Sequence, residues 1–168
     1  MPKSPTLDTT TKRELQALYR EVMWLARRRN VTPSMARAWY THVVAGRLCR
    51  RIRQFTGKVS RTAIASRNTP LRLEHHARIQ TKLTELVARH LKRKRPDPRE
   101  FIRVLTQCES VHIVTFRENY EAMKHDGDYR AANIHLVAWR NISRPRREEL
   151  WRHVLRGRVA NAADYAPT

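Results

Sequence analysis

Apolar residues recur every three or four positions along most of the chain, a spacing typical of amphipathic helices. A capping box formed by Thr11 and Glu14 predicts that the first helix begins at Thr11. Asn30 can close this helix after about Arg29. Its apolar stripe consists of Leu15, Leu18, Val22 and Leu25.

Proline and glycine punctuate the segments that follow. Thr32-Pro33 predicts the start of a second helix, because proline fits the first helical position, and Gly57 would end it. Residues 58–68 are interpreted as a basic loop or a short helix. Thr69-Pro70 repeats the start signal for a third helix, which should end before Pro96.

Asp97-Pro98 predicts another helix start after the run of basic residues at 92–95. The run from Val111 to Phe116 has β-branched character, but a lone strand would have no partner, so we expect helix up to Gly127. A shorter helical segment should span residues 129–141. A last helix should begin near Ser143 and end before Gly157.

These patterns predict an all-α fold in four parts. Residues 1–11 would be a disordered or targeting N-terminus, since the stretch is rich in Ser and Thr and weakly resembles an organellar targeting segment. Residues 12–95 would form an N-terminal three-helix bundle and residues 96–157 a C-terminal helical extension. Residues 158–168 would be a tail without a periodic apolar face.

The charge of the chain limits the class of its partners. The 168 residues include 35 Lys or Arg and 15 Asp or Glu, for a formal net charge of +20. Of the basic residues 28 are Arg, whose planar guanidinium binds phosphate and carboxylate in a bidentate manner. The composition therefore favours binding to a polyanion.

Catalytic and metal sites find little support in the sequence. Cys49 and Cys108 lack metal-ligand spacing and are expected to be reduced and buried. The four glycines are isolated and cannot form a phosphate-binding loop. Glu118 and Glu121 are interpreted as salt-bridge partners rather than an acid/base pair. We therefore predict a non-enzymatic protein with no metal, no cofactor of its own and no membrane span.

The tripeptide Leu18-Tyr19-Arg20 lies near the start of the first predicted helix and is followed by an apolar and arginine-rich stretch that ends at Arg29. This opening resembles that of the LYR-motif (complex I LYR-like) family of small mitochondrial helical proteins. The family also has a phenylalanine in basic surroundings in a later helix. Phe55 matches that position, and Phe116 is a second match. The resemblance covers roughly residues 11–95.

This resemblance implies a helical unit in the mitochondrial matrix that binds mitochondrial acyl carrier protein and receives the acyl chain of its phosphopantetheine. An arginine-rich face suits an acidic partner. The alternative is that Leu18 and Tyr19 are ordinary core residues and Arg20 is solvated. The candidate residues for acyl carrier protein are Leu18, Tyr19, Arg20, Arg47, Arg50, Arg51 and Phe55.

A charge of +20 exceeds what one acidic protein requires and suits a second polyanion such as ribosomal RNA. The leading hypothesis is thus an adaptor that docks on the mitochondrial ribosome or an assembly intermediate. Two alternatives are a structural mitochondrial ribosomal RNA-binding protein without acyl carrier protein, and an accessory subunit or assembly factor of a respiratory complex. Trp139 and Trp151 could stack on bases or belong to the core. The candidate phosphate contacts are Lys92, Arg93, Lys94, Arg95, Arg144, Arg146, Arg147, Arg152, Arg156 and Arg158.

Overall fold

The computed structural model describes residues 7–75, 77–93 and 97–167. They form helices together with a four-stranded sheet, so the all-α prediction is wrong. The chain separates into two compact units. The helical unit comprises residues 1–52 and 78–109, and the sheet unit comprises residues 53–77 and 110–168.

The helical unit contains five α-helices and the sheet unit contains three, counted over the described residues. A π-helical turn, Tyr40–Val44, joins α2 to α3, and a second one, Trp151–Leu155, continues α8. The helices are α1 (Thr9–Ala26), α2 (Pro33–Trp39), α3 (Ala45–Ile52), α4 (Arg61–Ala65), α5 (Ile79–Leu91), α6 (Pro98–Cys108), α7 (Phe116–Lys124) and α8 (Arg144–Leu150). The strands are β1 (Gln54–Ser60), β2 (Leu71–His75), β3 (Ser110–Thr115) and β4 (Leu136–Ala138).

Helix starts follow local capping chemistry. Helix α1 begins at Thr9, because the Asp8 carboxylate accepts the Thr11 N–H at 2.8 Å. The start predicted at Thr11 is two residues too late. The starts predicted at Pro33 and Pro98 are confirmed. Thr32 caps α2, and the Asp97 carboxylate caps α6.

The core of the helical unit forms where the apolar stripes of its helices meet. Leu15 and Leu83 are fully buried there, and the hydroxyl of Tyr40 donates a hydrogen bond to Glu109 at 2.6 Å. Apolar burial of this kind contributes about 1.5–3 kcal/mol for each large side chain. Further core members are Leu18, Tyr19, Val22, Met23, Ala36, Leu48, Ile52, Leu86, Val87, Phe101 and Leu105.

The sheet has the strand order β2-β3-β1-β4. Strands β1 and β3 are parallel, whereas β4 and β2 pair antiparallel with β1 and β3 respectively. Both faces of β3 are covered: Val111 and Ile113 join one apolar cluster, and Val114 joins another with Ala122. The helix predicted over 111–116 is therefore wrong, because β3 has two partner strands, β1 and β2.

Three other predicted helices are corrected. The second helix ends at Ile52 and not at Gly57, so Phe55 lies in β1. The segment after Thr69-Pro70 is β2, and the third helix begins only at Ile79. Residues 129–141 contain turns, β4 and a short 3₁₀ helix. The last helix is confirmed as α8, and no described helix combines the length and apolarity that crossing a membrane requires.

Gly57 has a φ of +75° within an irregular part of β1. A side chain there would be strained by that backbone, and its Cβ would lie 3.2 Å from the Tyr165 hydroxyl. Glycine thus permits the bend of β1 and the close approach of Tyr165.

The C-terminal residues, expected to be a tail, pack against β1. The Asn161 side chain accepts the Phe55 N–H at 2.8 Å and donates to the Phe55 carbonyl at 2.9 Å. The N–H of Ala160 donates to the Arg53 carbonyl at 2.8 Å. Strand β4 pairs with β1 only over residues 58–60, so Asn161 satisfies backbone groups that β4 does not reach.

Candidate nucleic-acid interface

The tripeptide of the first helix divides between core and surface. Leu18 and Tyr19 are buried, with Tyr19 only 5% exposed, whereas Arg20 is exposed. The Tyr19 ring packs against Phe101, with ring centroids 5.2 Å apart. Its hydroxyl lies 2.8 Å from Nδ1 of His90, which is fully buried. The aromatic member of the motif therefore contacts its own unit.

A polar network extends from Tyr19 to the surface of the helical unit. Nε2 of His90 lies 2.9 Å from the Glu100 carboxylate, which also pairs with Arg89 at 2.6 Å and Arg93 at 2.7 Å. Hydrogen bonds from His90, and then from Arg89, lower the pKa of Glu100 to about 2. Burial raises the pKa of Tyr19 to about 12. Arg93, a candidate phosphate contact, is thus held in an ion pair.

The remaining candidates for binding acyl carrier protein are divided between the surface of the helical unit and the core of the sheet unit. Arg47, Arg50 and Arg51 are exposed on α3, and Arg51 pairs with Glu14. Phe55 lies in the core of the sheet unit, with its ring edge-on to Trp139. Phe116, the second match to the family phenylalanine, is exposed at the start of α7.

A cleft of about 310 Å³ lies between α1 and the α2–α3 helix, beside Leu18. Its walls combine apolar and charged side chains. They are Glu14, Ala17, Leu18, Glu21, Trp39, Val43, Val44, Arg47 and Leu48.

The C-terminal arginines lie on α8 and on the residues that follow it. Leu150, Val154 and Leu155 face the sheet and are buried, which turns the remaining positions toward solvent. The exposed arginines are Arg144, Arg152, Arg156 and Arg158. We call this set the arginine face.

One residue of the arginine face, Arg152, forms a weak surface ion pair. Arg152 bonds Glu148 one turn earlier at 3.0 Å, and both side chains are well exposed. Such surface pairs contribute about 0–1 kcal/mol, so Glu148 constrains the Arg152 guanidinium only weakly. The Arg156 guanidinium lies 5.6 Å from the ring centroid of Trp151.

Arg146 has a structural role. Its side chain is only 9% exposed, and Nη2 donates to the carbonyls of Ala63 at 2.6 Å and Ser66 at 2.5 Å. Nη1 pairs with Glu149 at 2.6 Å, and this hydrogen bond lowers the pKa of the Glu149 carboxyl. Arg146 thereby fastens the C-terminal end of α4 to α8.

A cavity of about 300 Å³ in the sheet unit borders on this arginine. It combines charged, hydroxyl and aliphatic groups. They come from α8, the second π-helical turn and the residues after it, the segment between α4 and β2, and the start of β2. Its lining residues are Arg67, Thr69, Leu71, Arg146, Glu149, Leu150, His153, Val154 and Arg158. We call it the α8 pocket.

Sequence reasoning identified Arg146 and Arg158 but missed Arg67, Thr69 and His153. Arg67 and Thr69 are remote in sequence from α8, and the basic character of residues 58–68 was the only available signal. The pocket depends on tertiary packing, which periodicity does not predict.

The other RNA candidates are divided between several environments. Arg147 is half-buried, and Lys92 is exposed at the end of α5. Lys94 and Arg95 lie outside the described residues. Trp139 is buried in the core of the sheet unit, and Trp151 is half-buried, with its indole N–H donating to the Ala162 carbonyl at 2.9 Å.

Comparison with known proteins gives no relative: no family model, curated protein or solved structure matches the chain. Within the described ranges, no three His, Cys, Asp or Glu side chains are grouped so that they could hold a metal ion.

Proposed function

We propose that this chain is a non-enzymatic RNA-binding protein that contacts the phosphate backbone through the arginine face. The observation that carries the proposal is the orientation of α8 and its π-helical extension. Their apolar side is buried against the sheet, and Arg144, Arg152 and Arg156 are exposed to solvent. Guanidinium groups on a rigid helical scaffold suit bidentate contacts with phosphate oxygens.

The wider charge distribution supports a polyanionic partner. The helical unit has 20 basic against seven acidic residues, and the sheet unit has 15 against eight. Both units therefore attract RNA over long range, and the arginine face would fix its position. Ribosomal RNA of the mitochondrial ribosome, or of an assembly intermediate, is the RNA we propose, on the basis of the resemblance of the first helix.

The test is RNA affinity as a function of salt concentration. We expect the triple variant Arg144→Gln/Arg152→Gln/Arg156→Gln to bind a ribosomal RNA fragment at least tenfold more weakly. The slope of log K against log salt should fall by about two, since each phosphate contact on a single strand contributes about 0.7. Circular dichroism would verify that the variant is folded.

The matched control removes three exposed arginines from the helical unit instead, as Arg13→Gln/Arg27→Gln/Arg29→Gln. Its charge change is identical, so its loss of affinity measures long-range attraction alone. Equal losses in the two triple variants would overturn the assignment of the RNA contacts to the arginine face.

A second candidate function is an adaptor for mitochondrial acyl carrier protein in the matrix. The observation that favours it is the cleft beside Leu18, where apolar walls adjoin the exposed Arg47. Apolar surface could receive part of an acyl chain, and Arg47, Arg20 and Arg50 could pair with carboxylates of the acidic partner. The acyl-phosphopantetheine would belong to the partner.

The adaptor candidate is tested by mass spectrometry of proteins that co-purify with the tagged chain from nuclease-treated mitochondria. An acyl-phosphopantetheine protein should be recovered with the wild type and lost with Val43→Asp, which places a charge in the cleft. Met35→Asp is the control, because Met35 is similarly exposed (57% against 54%) and lies outside the cleft lining. Recovery that is absent, or equal in the two variants, would contradict this candidate.

A further inference from the structure

We propose that the α8 pocket binds one unpaired nucleotide, with the base inside and the phosphate at the rim. The inference deepens the proposed RNA-binding function and rests on it. It adds a discrete site for a single nucleotide to a surface that otherwise contacts only the backbone.

The distribution of burial in the pocket argues for an amphiphilic anion. An aliphatic floor consists of the half-buried Leu71 and the almost completely buried Leu150 and Val154, whereas Arg67 and Arg158 are exposed at the rim. A bare phosphate gains nothing from an aliphatic floor. A nucleotide uses both parts, since its base is largely apolar on its faces and its phosphate is anionic.

The size of the pocket points the same way. A volume of about 300 Å³ is at the lower end of the range of small-molecule sites, roughly 300–1,000 Å³. One nucleotide suits a site of that size better than a longer oligonucleotide does. The aliphatic floor gives the base a surface to pack on.

Polar groups at the wall can read the edge of a base. The Arg146 guanidinium is fixed by the carbonyls of Ala63 and Ser66, and it holds the Glu149 carboxylate in place at 2.6 Å. The Glu149 carboxylate, held ionised by Arg146, accepts N–H donors. A carboxylate repels free phosphate, so Glu149 favours a ligand whose anionic group remains at the rim.

The first experiment is an NMR titration of the full chain with the four nucleoside 5′-monophosphates. Nucleosides and inorganic phosphate are titrated in parallel. We expect at least one monophosphate to shift the backbone amide resonances of the pocket residues and to bind at least tenfold more tightly than its nucleoside or phosphate. Phosphate binding as tight as the best nucleotide would overturn the proposal, as would the absence of binding at the pocket.

Two variants locate the site. Thr69→Trp fills the pocket from its exposed rim and preserves every charge, and it should weaken nucleotide binding at least tenfold. Arg67→Ser/Arg158→Ser should do the same, because each arginine supplies a charge-assisted hydrogen bond. The control Arg130→Ser/Arg140→Ser removes equal charge at exposed positions outside both the pocket lining and the arginine face, and it should change nucleotide affinity less than twofold. Binding unaffected by Thr69→Trp would place the nucleotide elsewhere and overturn the proposal.

The RNA affinity of Thr69→Trp shows whether the ligand of the α8 pocket is a nucleotide within bound RNA or a free nucleotide. If a nucleotide of bound RNA enters the pocket, the variant should bind RNA at least fivefold more weakly with an unchanged salt slope. Loss of nucleotide binding with full RNA affinity would overturn the RNA assignment and leave a free-nucleotide site. Failure of the proposed function is a separate result, in which the wild type does not bind RNA.

Discussion

The hydroxyl of Tyr19 should stabilise the helical unit, and Tyr19→Phe isolates its contribution. The substitution keeps the ring that packs on Phe101 and removes only the oxygen 2.8 Å from Nδ1 of His90. Because the Glu100 carboxylate only accepts hydrogen bonds, Nε2 of His90 must carry the proton that faces it. In the neutral ring Nδ1 is then an acceptor, to which Tyr19 donates.

Without that hydroxyl, a polar atom of a fully buried side chain has no partner. A buried hydrogen-bonding group left in this state costs about 1–3 kcal/mol. For a chain of this length, that free energy corresponds to a decrease in Tm of about 2–12 °C. In urea, a loss of about 2 kcal/mol with an m value of about 2 kcal/mol/M lowers the midpoint by about 1 M.

The assay is urea unfolding followed by circular dichroism, with Tyr120→Phe as the control. Tyr120 is 56% exposed on α7, so loss of its hydroxyl should change the free energy of unfolding by less than about 0.5 kcal/mol. A Tyr19→Phe effect no larger than that of the control would refute the structural role of the Tyr19 hydroxyl.

Three further predictions concern stability. The pKa of Glu100 is lowered in the folded state, so the contribution of this carboxylate to the free energy of unfolding is complete above its ordinary pKa of 4.5 and is lost as pH falls toward about 2. The difference in stability between wild type and Glu100→Gln should therefore shrink over that interval. Parallel pH profiles of the two proteins would contradict this. Gly57→Ala should cost about 1–3 kcal/mol in urea unfolding, since it combines a left-handed φ with a close approach to Tyr165, and a neutral result would show that β1 relaxes freely. Asn161→Ala should cost about 1–3 kcal/mol and speed amide hydrogen exchange at Phe55, whose N–H loses its acceptor; unchanged exchange would exclude that role.

Sequence patterns predicted the helices whose ends carry their own chemistry. Thr32-Pro33 and Asp97-Pro98 cap α2 and α6 as expected, because a cap depends on residues within one turn. The β-branched run that forms β3 was expected to be helical, because neither of its partner strands, β1 and β2, was predicted. Val111, Ile113 and Val114 are buried on two faces, so the period of two that marks a half-exposed strand is absent.

Strand β1 was missed for a different reason. The positive φ of Gly57 and the shift of register between Phe55 and Val59 interrupt its alternation, and Gly57 was interpreted as the end of a helix. The role of Asn161 was equally hidden, since its bonds to Phe55 bring together residues far apart in the sequence.

At the candidate interface, sequence reasoning predicted which residues are basic but not which are available. Arg144 and Arg152 are exposed as expected, whereas Arg146 is directed inward and binds carbonyls. The pattern of charges along the sequence does not distinguish an exposed arginine from a buried one, because arginines lie on both the exposed and the buried side of α8. The position of Tyr19 was hidden in the same way, because its contact with His90 depends on tertiary packing between residues far apart in the sequence.

The interleaving of the two units has a consequence for synthesis of the protein from its N-terminus. The first 52 residues of the helical unit leave the ribosome before α5 and α6, and the segment with β1 and β2 is made between them. Strand β1 must then await β3 before its parallel pairing can form. The helical unit lacks α5 and α6 until residue 109 has been made, and the sheet unit lacks β3 and β4 until later still, so nascent chains should remain sensitive to protease until residues beyond 109 have emerged.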